Sequence, residues 1–382
     1  MLTKIHSGTR NDGMDMLRGI SILSVMLLHC YINMPFEHNL SSQRVFNIIF
    51  RSGYYGVITF FVISGFLISI TSLKKWGSLQ NIRYKQFYQM RFARIMPCLF
   101  ALLLVLSALD LFGVSDFVIH TTSLSQAVFS TLTFHINLLE ANTGYLPGNW
   151  DVLWSLSVEE MFYLFFPLIC ITLRKPSYFT IVMLIFIILG PFARTTFTNN
   201  DMWSDHSYLS CMDGIAIGCL AALFANHMKL NRHMFLTILI TGVLLFIFIF
   251  IFRKQASDVG ISKVGLNVTI LEIGVSLILI AMHEWYGHRK HIGSVFTAPL
   301  RWFGRNSYEI YLIHMFFVML IENFLYHAKQ AWVLIVVSYF IAIAMSGLFG
   351  QFVSSYFSEP FNGFIRRKNR IKKRLRADCH TH

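Results

Sequence analysis

Two residues of the first long apolar segment, Arg18 and His29, are eleven positions apart and have side chains that could act in catalysis. An α-helix rises about 1.5 Å per residue, so this spacing places the guanidinium and the imidazole about 16 Å apart along one helix. Arginine binds phosphate oxygens in a bidentate manner. Imidazole has an unperturbed pKa of about 6.5 and can act as a general base at neutral pH. The pair could therefore hold an anionic substrate at one end and deprotonate a nucleophile at the other.

Two further arginines, Arg91 and Arg94, occur in the stretch RYKQFYQMRFARIMP, just before the third long apolar segment. Residues three positions apart share one face of a helix, so the two guanidinium groups are expected to lie side by side. Such a pair suits a ligand that carries phosphate groups. The alternative is that both arginines only anchor the helix on the cytoplasmic side of a membrane.

Several ionisable side chains fall inside apolar segments, where each costs about 2.5–3.5 kcal/mol on insertion scales. We expect His29 about 20 Å into a hydrocarbon core about 30 Å thick, in its outer half. A similar level on four other helices is predicted for the carboxylates of Glu160, Asp213, Glu272 and Glu322. The sequence therefore predicts a polar chamber that opens outward and is either hydrated or internally paired.

Each of these residues also has a simpler interpretation. His29 and His314 could be packing histidines, with His29 bonded to a backbone carbonyl group. Glu160 could pair with a neighbouring helix, and Glu322 fits an interfacial position.

Membrane-spanning helices are the elements that must position these side chains. Hydrophobic residues make up 55% of the 382 residues and charged residues only 13%, which is too little charge to cover a soluble domain of this length. Runs of about 20 apolar residues recur along the chain, long enough to cross a bilayer. We predict an all-α, polytopic helix bundle with about ten spans, near residues 16–34, 54–73, 95–114, 152–172, 178–197, 207–227, 234–252, 264–285, 307–326 and 331–355.

The basic residues indicate the orientation of this bundle. With ten spans both termini share one side, and most of the 32 lysines and arginines fall on that side, which is predicted to be cytoplasmic. We predict an integral membrane domain over residues 1–360 and a basic cytoplasmic tail over residues 361–382. The tail is expected to contact anionic lipids rather than nucleic acid. The first span begins like a signal peptide, but no small-residue cleavage site follows it, so we expect it to be retained.

The six cysteines show neither a CxxC pair nor the Cys/His spacing of a metal site. We expect them to act as small buried hydrophobic residues, and we predict no metal site.

Seven motifs occur in an order and on predicted sides that point to one protein family. Arg18 and His29 form an Arg-x10-His pair, and the others are FFVISGFLIS (60–69), RFAR (91–94), WSLSVEEMFYLFFP (154–167), MDGIAIGCLAA (212–222), NSYEIYLIH (306–314) and SEPF (358–361). Together they strongly resemble the acyltransferase-3 family of integral membrane acyltransferases. The resemblance covers essentially the whole chain.

The resemblance implies a reaction and its substrates. Members of this family transfer acyl groups, commonly acetyl, from cytoplasmic acyl-CoA to hydroxyls of cell-surface sugars, including lipopolysaccharide O-antigens, capsules and peptidoglycan. It implies an enzyme of the bacterial inner membrane with acetyl-CoA as donor substrate and no permanently bound cofactor. The implied acceptor is an extracytoplasmic polysaccharide or lipid-linked glycan. The chain resembles the O-antigen and capsule type, without an appended hydrolase-like domain.

The resemblance also implies roles for individual residues. His29 matches the catalytic histidine, acting either as general base or as acyl carrier, and the donor-end arginines are Arg18, Arg91 and Arg94. Glu160, in the fourth-span motif, would orient and stabilise His29 as in a catalytic triad. Supporting roles are predicted for Asp15, Trp154, Ser157, Asp213, Glu272 and His314. The hydroxyls of Ser155 and Ser157 are candidates for an oxyanion stabiliser, with local helix capping as the alternative.

Two positions depart from the family pattern, and two other classes of function compete with it. Met16 stands where glycine is usual, and Cys211 and Met212 replace the basic residue common before the Asp-Gly pair. A secondary transporter of a small anionic solute would also need intramembrane acids, and coupled uptake without acyl-CoA would support it. A non-catalytic component of glycan assembly is the second alternative, which His29-dependent activity would exclude.

Overall fold

A computed structural model describes residues 11–35, 43–196, 200–288, 294–325 and 332–364. These residues form helices and contain no strand, which confirms the all-α prediction. The α-helices are α1 (Asp12–Asn33), α2 (Gln43–Phe50), α3 (Gly53–Trp76), α4 (Tyr84–Leu111), α5 (Leu124–Leu132), α6 (Ile136–Thr143), α7 (Gly148–Asp151), α8 (Trp154–Thr172), α9 (Pro176–Thr196), α10 (Asp201–Asp205), α11 (Tyr208–His227), α12 (Arg232–Ile251), α13 (Arg253–Asp258), α14 (Leu266–His288), α15 (Ala298–Arg305), α16 (Ser307–Leu325) and α17 (Trp332–Val353). A π-helical turn, Ser354–Ser358, follows α17.

Nine helices in the described part of the chain are long and apolar enough to cross a membrane. They are Asp12–Asn33, Gly53–Trp76, Tyr84–Leu111, Gly148–Thr172, Pro176–Thr196, Met202–His227, Arg232–Ile251, Leu266–Trp285 and Val333–Phe364. Each overlaps one of the ten predicted spans. The remaining prediction, 307–326, forms α16, which is not among the nine. The chain is thus a multi-pass membrane protein.

Helix α4 begins well before the span predicted at 95–114. It starts at Tyr84, so Arg91 and Arg94 lie inside the helix rather than just before it. Pro97 also lies inside α4, and Pro167 lies inside α8. A polar first turn does not prevent helix formation when later residues bury an apolar face.

The segment between α4 and α8 forms the short helices α5, α6 and α7. Ser123 begins α5 with a capping box, in which its side chain accepts the N–H of Gln126 and the Gln126 side chain accepts the N–H of Ser123. This cap, with Gly144 at a φ of 94° just after α6, breaks the segment into separate helices.

The described residues divide into two compact units. The first draws on Met1–Tyr31, His38–Thr71 and Thr180–Ser307, and the second on Ile32–Glu37, Ser72–Phe179 and Tyr308–His382. The membrane domain predicted over residues 1–360 contains parts of both units. The predicted basic tail lies outside the described residues after Phe364.

In the first unit, α3 and α11 cross with their backbones almost in contact. A Cβ atom on Gly65 would lie 1.9 Å from the carbonyl oxygen of Ile215, and one on Gly218 would lie 2.1 Å from that of Val62. Both glycines belong to motifs noted in the sequence, FFVISGFLIS and MDGIAIGCLAA. Small residues at a crossing allow helices to approach closely, so these motifs specify packing.

The first unit also fixes the start of α1. Asn11 Oδ1 accepts the N–H of Gly13 at 3.0 Å and caps the helix. Gly304 of α15 lies so close that an added Cβ would be 1.7 Å from the carbonyl oxygen of Asp15. Arg18, one turn later, is therefore held next to a crossing defined by backbone contact.

In the second unit, aromatic contacts join α4 to α8. The rings of Phe87 and Phe166 stack with centroids 5.8 Å apart. The hydroxyl of Tyr88 donates to the carbonyl of Leu164 at 2.5 Å. These contacts fix the register between the helix that carries the RFAR motif and the helix that carries the WSLSVEE motif.

Candidate active site

The second unit brings the arginines of α4 to the motif of α8. The guanidinium carbon of Arg91 lies 4.1 Å from the ring centroid of Tyr163, a cation–π contact. Glu160, one turn before Tyr163, is buried and is attracted by Arg91 and Arg94. Its Oε1 atom is buried and has no hydrogen-bond partner. The RFAR and WSLSVEE motifs thus form one cluster with an unused carboxylate oxygen.

This cluster changes the predicted layout of the site. Arg91 and Arg94 were expected at the inner mouth and Glu160 in an outer chamber. The structure places Glu160 within electrostatic range of both arginines, because α4 carries them into a membrane-spanning helix. A pure anchoring role does not account for Arg91, whose guanidinium stacks on a ring of α8.

Tyr308 completes the cluster from the NSYEIYLIH motif. Its hydroxyl donates to the carbonyl of Ile95 on α4 at 3.0 Å. It also lies within electrostatic range of Glu160 and Arg94. Neither Tyr163 nor Tyr308 was a predicted site residue. Their signal in the sequence is a tyrosine inside each of two quoted motifs, at a depth where its hydroxyl needs a partner.

The first turn of α8 is held by hydrogen bonds to α16. The hydroxyl of Ser155 donates to that of Tyr311 at 2.8 Å, and the Tyr311 hydroxyl donates to a carbonyl of the preceding turn at 3.0 Å. Trp154 is buried beside them. The hydroxyl of Ser157 donates to the backbone carbonyl of Leu153 at 3.5 Å. This local bond agrees with the alternative to an oxyanion role, in which the hydroxyl bonds its own helix.

His314 is fully buried on α16. Its Nδ1 atom hydrogen-bonds the carbonyl of Tyr311 at 2.8 Å, and the two rings lie 5.7 Å apart. A histidine bonded to a carbonyl of its own helix matches the packing interpretation.

A second polar cluster lies in the first unit around Asp213 of α11. Arg194 of α9 donates to both of its carboxylate oxygens, at 3.1 and 2.7 Å, and also to the hydroxyl of Thr269. Glu272 of α14 is fully buried and lies within electrostatic range of Asp213 and Arg194. The predicted acids Asp213 and Glu272 are thus brought together in an internally paired cluster.

Arg194 is a residue that the sequence reasoning missed. Asp213 thus has a basic partner from a different helix, α9. The available signal was an arginine near the end of an apolar segment, at the same predicted level as Asp213. Its partner could not be deduced without the helix packing.

Arg18 and His29 lie on α1 in the first unit and are half-buried. Asp15, one turn before Arg18, is buried and pairs with Arg305 of α15 at 3.3 Å. Since Glu160 belongs to the second unit, the suggested contact between Glu160 and His29 stays a prediction. Among the described residues, no group of three or more His, Cys, Asp or Glu side chains could hold a metal ion. The five described cysteines are buried.

A family model described as an acyltransferase domain matches residues 11–350. This range contains every predicted site residue. The chain belongs to the acyltransferase-3 family. The family assignment confirms the resemblance inferred from the motifs.

Curated relatives carry more specific names. The O-acetyltransferase OatA of Staphylococcus aureus (strain NCTC 8325 / PS 47) is 25% identical, over 96% of this chain and 59% of its own length. SAS0844 of Staphylococcus aureus (strain MSSA476), provisionally named an O-acetyltransferase, is 26% identical over 97% of this chain and 59% of its own. This chain therefore spans about three-fifths of the length of these relatives. No solved structure matches it.

Proposed function

We propose that this protein is an O-acetyltransferase of the bacterial inner membrane. It transfers the acetyl group of cytoplasmic acetyl-CoA to a hydroxyl of a cell-surface polysaccharide, such as lipopolysaccharide O-antigen or capsule. The observation that carries the proposal is the cluster of Arg91, Arg94, Tyr163 and Glu160 within a chain of this family. The names of the relatives support acetyl as the acyl group and oxygen as its destination.

The donor role is assigned to the arginines of α4. Coenzyme A carries several phosphate groups, and guanidinium groups bind phosphate through paired, charge-assisted hydrogen bonds. Arg91 is held by Tyr163 and faces Glu160, so its orientation is fixed before any ligand binds. Arg18 has the same role by family resemblance and lies beside the α1–α15 crossing of the first unit.

His29 is assigned the role of general base. Its imidazole accepts the proton of the acceptor hydroxyl while the hydroxyl oxygen attacks the thioester carbonyl carbon. A carbon–oxygen bond forms, the carbon–sulfur bond breaks, and the proton passes to the departing sulfur. The products are an acetyl ester and the thiol of coenzyme A, so no other reactant is needed. His29 as a transient acyl carrier gives the same products.

Mass spectrometry of surface polysaccharide tests this proposal. Polysaccharide is compared from cells that lack the gene and from cells complemented with the wild type or with His29→Ala. The expected result is one acetyl group per repeat unit that only the wild type restores, with equal amounts of both proteins in the membrane. Acetylation restored by His29→Ala would contradict the role of His29. No difference between deleted and complemented cells would contradict the acceptor.

A further inference from the structure

Two acidic side chains between α4 and α8 have no role in the proposed reaction so far. Glu140 lies on α6 and is 1% exposed, and Asp151 ends α7. The two carboxyl groups lie within electrostatic range of each other. The N–H of Leu146, in the connection between the two helices, donates to Glu140 Oε1 at 3.2 Å. Burial, with the negative charge of Asp151 next in importance, raises the pKa of Glu140 to about 10.

The surroundings of this pair differ from those of a structural ion pair. Among the described residues, neither arginine, lysine nor histidine contributes to the electrostatics of either carboxyl group. Buried carboxyl groups normally persist only where a cation or a full set of hydrogen bonds compensates for lost hydration. The contrast is Asp213, whose two oxygens are both bonded to Arg194.

Four side-chain polar atoms of α6 and α7 are buried without a hydrogen-bond partner. Three are acceptors, Glu140 Oε2, Asp151 Oδ1 and Asn149 Oδ1, and one is a donor, Trp150 Nε1. Asn149 and Trp150 are 1% and 0% exposed. Buried polar groups in folded proteins are almost always paired, so these atoms of α6 and α7 are candidates for contact with a ligand. A hydroxyl group both donates and accepts, and several hydroxyls on one molecule match this set.

Helix α7 is fixed in place by α16. An added Cβ on Gly148 would lie 2.6 Å from the methyl carbon of Met315, and the amide of Asn149 donates to the sulfur of Met319 at 2.6 Å. Asp151 also lies within electrostatic range of Tyr311, the residue that holds the first turn of α8. The unpaired atoms are therefore attached to the same framework as the WSLSVEE motif.

We propose that Glu140, Asn149, Trp150 and Asp151 bind the hydroxyl groups of a polyhydroxylated acceptor, a sugar-containing molecule. This inference rests on the proposed function, because it assigns the acceptor of that reaction to a place in the second unit. Access requires the connection between α6 and α7, residues 144–147, to move aside. That connection starts at Gly144, with a φ of 94°, and carries the exposed side chain of Tyr145.

The test measures acceptor binding and acetyl transfer separately on the purified full-length protein. The acceptor probe is polysaccharide isolated from the surface of cells that lack the gene, and the donor is acetyl-CoA. Glu140→Gln and Asp151→Asn are each expected to raise the dissociation constant and the KM for polysaccharide roughly tenfold, a loss of about 1.4 kcal/mol. The affinity for acetyl-CoA is expected to stay the same. The control is Glu322→Gln, which changes a part-exposed carboxylate of α16 and is expected to leave polysaccharide binding as it is in the wild type.

Trp150→Phe provides a variant that keeps the ring and removes only the Nε1 donor. It is expected to weaken polysaccharide binding several-fold even if a carboxyl variant does not fold. Unchanged polysaccharide binding by folded variants would overturn the inference, as would a lower melting temperature without a change in binding. Wild-type protein that binds polysaccharide through these residues but transfers no acetyl group would contradict the proposed function and leave this inference supported.

Discussion

Arg91 is the side chain on which the proposed donor binding depends most directly. The planar face of its guanidinium stacks on Tyr163, and its positive charge attracts Glu160. A lysine in its place would keep the charge but lose the planar fork and the stacking surface.

We predict that Arg91→Ala weakens acetyl-CoA binding about tenfold, the loss of one charge-assisted hydrogen bond, about 1.4 kcal/mol. Arg91→Lys is expected to lie between this variant and the wild type. Calorimetric titration of the purified protein measures both affinities. Lys85→Ala, an exposed cation on the same helix, is the matched control and should bind as the wild type does. An unaltered affinity in Arg91→Ala would return this residue to an anchoring role.

Glu140 gives the protein a stability that depends on pH. Its pKa is raised from its ordinary value of 4.5 to about 10, chiefly by burial. A group with a raised folded-state pKa stabilises the fold fully below its unfolded pKa, and this contribution is lost as the pH rises toward the folded value. The loss has an upper limit of about 1.4 kcal/mol per pH unit between these two values.

The wild-type melting temperature is therefore expected to fall between pH 5 and pH 9 more steeply than that of Glu140→Gln, which cannot ionise. Thermal unfolding of both proteins in one detergent across this range measures the difference. Parallel curves for the two proteins would show that Glu140 ionises as easily in the folded protein as in the unfolded chain.

At the scale of elements, the crossing of α3 and α11 is the contact least able to accept a larger residue. A Cβ on Gly65 would lie 1.9 Å from a backbone oxygen, which cannot rotate away as a side chain can. We predict that Gly65→Ala lowers the free energy of unfolding by about 1–3 kcal/mol, because overpacking a core destabilises the fold. Gly363→Ala is the control, since nothing lies within 4 Å of its added Cβ. The yield and melting temperature of the purified variants measure the effect, and equal values for both would contradict this packing.

The sequence was sufficient to predict most helices, because each long span needs its own run of apolar residues. Nine of the ten predicted spans overlap helices able to cross a membrane. The beginning of α4 was not predictable from hydropathy, since the polar residues that include Arg91 and Arg94 lie before the apolar run, and the predicted helical face was not assigned to the span itself. The short helices α5, α6 and α7 were missed because caps and turns, rather than apolar periodicity, define them.

The site was predicted in part, at the positions where a single residue type implies a role. Asp213 and Glu272 were chosen as intramembrane acids, and the structure brings them together. Arg194 was missed because its partner, Asp213, lies on another helix, nineteen residues further along the chain. Glu140 and Asp151 were missed because they lie outside the long apolar runs, where a carboxylate is common and does not indicate a functional site.

At the scale of the whole molecule, α16 decides the predicted orientation. If α16 spans the membrane, ten of the described helices cross it and both termini are predicted to be cytoplasmic. If α16 does not span the membrane, the termini lie on opposite sides. We predict that a green fluorescent protein fused after His382 fluoresces and that an alkaline phosphatase fused there is inactive, since each reporter works on only one side of the inner membrane. The reverse result would place the C-terminus outside.

The most direct test of the central claim is acetyl transfer by the purified protein. Full-length wild type and His29→Ala are each incubated with radiolabelled acetyl-CoA and polysaccharide from cells that lack the gene. We predict that the wild type labels the polysaccharide and that His29→Ala does so about 10²–10⁴ times more slowly, the usual contribution of a general base, with the same melting temperature. Labelling by His29→Ala at the wild-type rate, or its absence with the wild type, would contradict the account.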